Sequence, residues 1–116
     1  MHRAGNRASR ERAMLEWIEV RESPLHGRGV FARRALRRNQ RIGRFEGETT
    51  TRNGTFVLWV TDEMGREKGI RGRNVLRFLN HGRPPNAEFR DEELFVLAPV
   101  AKGAELLIDY GDDEFD

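Results

Sequence analysis

Apolar positions along the chain come in short bursts, without the i, i+3, i+4 spacing of long helices. Trp17-Ile18-Glu19-Val20-Arg21 partly alternates apolar and polar residues and stops at Ser23-Pro24, which predicts a short strand ended by a turn. Gly29-Val30-Phe31-Ala32 and Arg41-Ile42-Gly43-Arg44-Phe45 predict two more. The strongest strand pattern is Thr55-Phe56-Val57-Leu58-Trp59-Val60, an unbroken β-branched and aromatic run closed by polar residues. Thr61 to Arg73 is charged and glycine-containing and predicts a loop or irregular hairpin. Asn74 to Leu79 has room for one helical turn. Glu93 to Val100 and Glu105 to Ile108 predict further strands, separated by Pro99 and Lys102-Gly103. Near the start, Ala8 to Leu15 fits either a short helix with Ser9 as its N-cap or a frayed extension.

Many short strands punctuated by Gly and Pro predict a compact, mainly β domain. The ten-residue helical patterns that alternate with strands in a doubly wound sheet do not occur, nor does an internal repeat. The length of 116 residues suits one domain, read here as an N-terminal extension over 1–14 and a domain over 15–116. With 37% hydrophobic and 34% charged residues, its core is expected to be modest. No apolar run approaches the roughly 20 residues that span a bilayer. Met1 to Arg12 is basic and polar, unlike a secretory signal. An intracellular location is therefore expected, cytoplasmic if the source is bacterial. Nineteen of the 21 basic residues are arginine, in keeping with a GC-rich bacterial or viral genome.

The chain has no cysteine, which excludes disulfides, thiolate zinc sites and cysteine nucleophiles. His2, His26 and His81 lie far apart, so no metal site is expected. Residues 1–52 carry 13 Lys/Arg against 6 Asp/Glu, and residues 53–116 carry 8 against 13. The basic half suits nucleic acid and the acidic half a basic protein, although single clusters of this kind are most often solvated surface.

Three short stretches stand out. Ser23-Pro24-Leu25-His26-Gly27-Arg28-Gly29-Val30-Phe31 places two glycines around Arg28, where the backbone can adopt φ > 0 or approach a ligand closely. Taken alone this is an ordinary turn, and it lacks the third glycine and following helix of a dinucleotide fingerprint. Arg77-Phe78-Leu79-Asn80-His81-Gly82-Arg83-Pro84-Pro85-Asn86-Ala87 gathers hydrogen-bonding groups beside a Pro-rich turn. By itself it reads as a helix stop with a satisfied histidine. Glu105-Leu106-Leu107-Ile108-Asp109-Tyr110-Gly111 ends an apolar strand with the only tyrosine in the chain, a residue more often structural than catalytic in such a place.

In this order the three stretches resemble the signatures of the SET-domain protein-lysine methyltransferases. That family shows Gly-x-Gly near its start, Arg-Phe-x-Asn-His followed by Pro-Asn, and Glu-Leu-x-x-Asp-Tyr-Gly near its end. Phe45-Glu46-Gly47-Glu48 is similar to its Tyr-x-Gly-Glu stretch. The likeness runs from about residue 17 to residue 111.

The resemblance implies a SET-domain fold of several short β-sheets, with a C-terminal segment threaded in a pseudoknot-like way that makes the Asn-His and Asp-Tyr stretches neighbours. It implies S-adenosylmethionine as cofactor and a lysine entering a narrow channel from the opposite face. His26, Gly27, Arg28 and Gly29 would hold the methionine part; Asn80 and His81 would bind its amino group and adenine; and Phe115 would close over the adenine or channel. Tyr110 would be catalytic, Phe45 and Ile108 would line the substrate channel, and Arg77 and Asp109 would support the threading. The chemistry needs alignment and a neutral amine, and burial of the lysine head beside a positive sulfonium lowers its pKa.

The chain departs from the family pattern at Gly82, where serine is usual, at Phe45, where tyrosine is usual, and at Ile108, where phenylalanine or tyrosine is usual. Isoleucine cannot hydrogen-bond the amine, so relaxed product specificity, toward di- or trimethyllysine, is expected. The expected partner is a lysine-containing basic protein, histone-like or ribosomal. Neither a membrane nor direct nucleic-acid contact is expected, because few aromatics interleave with the N-terminal arginines. Pairing into a homodimer is one way for so small a domain to complete its channel. Two other readings compete: a catalytically degenerate SET fold that binds a peptide or protein, and a small basic β-barrel that binds nucleic acid.

Overall fold

The computed structural model describes residues 7–54 and 56–110. A helix, α1 (Arg7–Met14), is followed by ten short strands: β1 (Ile18–Glu22), β2 (Arg28–Ala32), β3 (Arg41–Arg44), β4 (Gly47–Thr50), β5 (Val57–Thr61), β6 (Glu67–Gly72), β7 (Asn80–His81), β8 (Ala87–Arg90), β9 (Glu93–Val96) and β10 (Glu105–Ile108). They form three small sheets, ordered β1-β2-β10-β7, β3-β9-β8 and β4-β6-β5. The chain is thus mainly β, as its apolar bursts predict.

Inward-facing apolar side chains account for the first sheet. Ile18, Val30, Ala32 and Leu106 turn inward and are almost wholly buried, and they meet Leu36, Leu76, Leu94, Val96 and Val100 in one core. That core lies between the sheets and provides the main driving force for folding. Glycine makes the tight contact between β4 and β6 possible: a Cβ on Gly47 would overlap the Arg71 carbonyl across the strand pair.

The expected loop or irregular hairpin over 61–73 is a hairpin, with β5 and β6 in register from Thr61↔Glu67 to Val57↔Arg71. The predicted strand at 55–60 begins only at Val57, because Phe56 adopts φ 65°. The left-handed backbone breaks strand geometry there. The expected strand over 93–100 stops at Val96, and Val100 instead forms an isolated bridge with Leu36. The turn at 74–79 is a single 3-10 turn, Val75–Phe78. At the start, Ser9 is not an N-cap: it lies inside α1 and its Oγ accepts a hydrogen bond from Arg12. α1 itself is anchored, since Met14 joins the core and the Glu11 carboxylate accepts the Val75 amide at 2.8 Å.

The arrangement that positions the site is the first sheet. β10 sits between β2, antiparallel, and β7, parallel, with Leu107↔Asn80 and Ile108↔His81 in register. The C-terminal strand is therefore inserted between an early strand and the Asn-His segment, which is the form taken by the expected threading. Asn86 closes the insertion: its side chain donates to the Glu105 carbonyl and accepts from the Leu107 amide, while its own amide donates to the Leu107 carbonyl.

Candidate active site

The turn that leads into β2 supplies one wall. Ser23 closes it, its amide donating to the Gly27 carbonyl at 2.7 Å and its Oγ accepting from Leu25. Gly27 has φ 47°, and nothing lies within 4 Å of where a Cβ would stand. Only glycine adopts that backbone at little cost, and the space above it is open to a ligand. Gly29 has a packing duty. Its φ is ordinary, and a Cβ there would overlap the Glu105 carboxylate, so its small size serves the protein's own packing. His26 and Arg28 are exposed, with the Arg28 guanidinium 5.8 Å from the Phe78 ring centroid.

Asn80, on β7, supplies the next part. It is 7% exposed, and its Nδ2 lies 3.1 Å from the His26 carbonyl, 3.0 Å from the Arg28 carbonyl and 2.8 Å from Glu105 Oε2. One side chain thus fastens the glycine turn to β7 and β10. Parallel pairing then sets His81 beside Ile108. The Tyr110 amide donates to His81 Nδ1 at 2.9 Å, so that nitrogen is an acceptor. The two rings lie 5.4 Å apart. The Tyr110 hydroxyl donates to the Leu79 carbonyl, and burial pushes its pKa above the ordinary phenol value.

Sequence-based candidates therefore converge for His26, Gly27, Arg28, Gly29, Asn80, His81, Ile108 and Tyr110. Arg77 and Asp109 have separate local duties. Arg77 donates to the Arg73 and Asn74 carbonyls and stacks 4.3 Å from the Phe78 centroid. Asp109 takes two 3.1 Å hydrogen bonds from Arg83, an exposed pair worth at most about 1 kcal/mol. Phe45 is 5% exposed, packed edge-on to Phe89 and against Gly72. Phe115 lies outside the described residues. Among the described residues, no group of three or more His, Asp or Glu side chains is placed to hold a metal.

Sequence reasoning gave no role to Glu105 or Ser23, although both lie within the quoted stretches. A polar residue at the first position of an otherwise apolar strand was the available signal. Two cavities of about 270 and 240 Å³ flank α1, both lined by Arg10, Arg44 and Glu46. Neither is lined by Asn80, His81 or Tyr110. The Arg10 guanidinium, hydrogen-bonded to Glu46, holds that carboxyl below its usual range. This corner is a self-compensated ion-pair cluster that docks α1.

Gly82 marks more than a lost hydroxyl. A Cβ there would come within 3.0 Å of the Leu107 Cβ and 2.5 Å of its Cδ1, so a side chain at 82 would force the Leu107 side chain to shift. Gly82→Ser is expected to cost about 1–3 kcal/mol of stability by overpacking. In a Leu107→Ala background the same change should cost clearly less. Thermal unfolding of the four proteins checks this, and equal costs in both backgrounds would remove the packing account.

A family model described as SET domain matches residues 27–111. Histone-lysine N-methyltransferase MEDEA of Arabidopsis thaliana is 27% identical over 113 residues, a match that covers 80% of this chain and 16% of MEDEA. The chain thus spans a small part of that relative's length. Among solved structures, the methyltransferase domain of human PR domain-containing protein 2 has the same fold, with a TM-score of 0.71 at 20% identity over 94% of this chain and 86% of that one.

Proposed function

The chain belongs to the SET-domain family, and from that premise we propose that it is a protein-lysine N-methyltransferase using S-adenosylmethionine. The observation that carries the reading is Tyr110: a half-buried, neutral phenol fixed beside His81, with its hydroxyl hydrogen donated to the Leu79 carbonyl. Such a phenol can only accept from an amine. It therefore orients the N–H bonds of an incoming lysine and leaves the nitrogen lone pair free to attack.

The residues suit the cofactor. The open space over Gly27 and the polar edge formed by His26, Arg28, Asn80 and His81 would hold its methionine and adenine parts. When bound, it supplies a sulfonium methyl group that is already electrophilic. The protein's task is then alignment and removal of water, and orientation of this kind supplies much of the rate. Phe45 and Ile108 would line the lysine channel without offering a hydroxyl, so repeated methylation of one lysine is favoured. The acidic half of the chain suits a basic protein partner, drawn in by long-range, salt-sensitive attraction.

Incubation with labelled S-adenosylmethionine and a whole-cell extract is expected to label lysines of a few basic proteins. Intact mass should show two or three methyl groups on a target lysine. A product that stops at one methyl overturns the specificity, and cofactor binding without any label transfer overturns the enzyme reading in favour of a binding module.

A further inference from the structure

We propose that Glu105 is a positioning residue for the cofactor turn, acting through Asn80 and Ser23; this rests on the methyltransferase reading above. Glu105 opens β10, the strand that leads to Tyr110. Its carboxylate joins segments far apart in sequence. Oε1 accepts from the Ser23 hydroxyl at 2.9 Å and Oε2 from the Asn80 amide at 2.8 Å. The same oxygen lies where a Cβ of residue 29 would be, so glycine at 29 makes room for it.

The hydrogen count at Asn80 explains why the carboxylate matters. Its amide has two hydrogens and faces three acceptors: the His26 carbonyl, the Arg28 carbonyl and Glu105. The carboxylate is the strongest acceptor of the three. It fixes the amide plane, and the remaining hydrogen is shared by the two turn carbonyls. On the other side, Ser23 spends its hydroxyl hydrogen on Glu105 while its amide holds Gly27. Glu105 thus clasps both ends of the turn that contains Gly27 and ties that turn to the strand carrying Tyr110. Without it, Asn80 can rotate toward the carbonyls alone and the Ser23 end of the turn is released. The lost preorganisation falls on cofactor affinity, not on the reacting geometry once the cofactor is seated.

The test measures S-adenosylmethionine binding by calorimetry, and steady-state kinetics on a labelled basic protein, for the wild type and three variants. Glu105→Ala is expected to weaken binding and raise the cofactor KM by about tenfold, with kcat at saturating cofactor within about twofold of wild type. Glu105→Gln is expected to remain within about threefold, because its oxygen accepts from Asn80 and its NH2 donates to Ser23 Oγ. If the alanine variant fails to fold, Ser23→Ala keeps the question open to measurement, with an expected loss of about threefold. Wild-type affinity in both alanine variants overturns the inference alone. So does a glutamine variant as weak as alanine, or a loss confined to kcat. A wild type that binds no S-adenosylmethionine overturns the methyltransferase reading and this inference with it.

Discussion

Tyr110→Phe is expected to lower kcat for methyl transfer by about a hundredfold to a thousandfold, with S-adenosylmethionine affinity nearly unchanged. The substitution removes one oxygen. That oxygen donates to the Leu79 carbonyl and, on the reading above, accepts from the lysine amine. Its loss leaves the amine free to turn, so that fewer encounters are in line. It also leaves the Leu79 carbonyl without this donor, and a stability loss of about 1 kcal/mol accompanies the change. Single-turnover kinetics with preloaded cofactor separates the two effects, and a rate within about threefold of wild type would sink the assigned role. The pH response follows from the same burial. Since the folded-state pKa of Tyr110 is raised, the phenol stays neutral through the range in which a lysine amine begins to deprotonate, and the rate should climb with pH. The stability linked to this proton is complete below about pH 10, the unfolded value, and is lost as pH rises through the raised one.

Asn80→Ala is expected to lower the unfolding free energy by about 3 kcal/mol, equivalent to about 12–24 °C in melting temperature for a domain of this size. The estimate follows from the buried amide and the three acceptors gathered on it, which alanine leaves short of donors. Asn80→Asp is the sharper test. It preserves shape but replaces the donating NH2 with an anionic oxygen facing Glu105 and two carbonyls, so it should be at least as damaging as alanine. Cofactor binding should disappear in both. A well-folded Asn80→Asp protein with wild-type melting would show that these contacts contribute little.

Strands β1, β2 and β10 are legible in the chain because Ile18, Val30, Ala32 and Leu106 supply their own inward-facing residues. β4, β6, β7 and β8 are not. Gly47–Thr50 and Glu67–Gly72 contain few apolar residues, and Asn80–His81 is a strand only because β10 arrives beside it. Pairing decided these segments, and pairing is a property of the folded molecule. The site follows the same division. Asn80, His81 and Tyr110 could be named from the resemblance of their stretches, yet the work of Glu105, and the reason for glycine at 29 and 82, depend on neighbours 25 to 82 residues away that no local pattern reveals. Asp109 shows the reverse case: it sits in a recognisable stretch, and its partner is Arg83, a residue given no part in advance.

The insertion of β10 between β2 and β7 also bears on how fast the molecule folds. Closing the Ser23–Glu105 and His26–Asn80 contacts spans 82 and 54 residues, and the entropy of loops that long must be spent before any of their bonds form. Topologies dominated by distant pairings fold in milliseconds to seconds, slower than local ones. The hairpins β5–β6 and β8–β9 need no such closure and can form early. The candidate site depends on these distant pairings, so an intermediate that formed only the local hairpins would lack the joined turn at Gly27 and the strand leading to Tyr110.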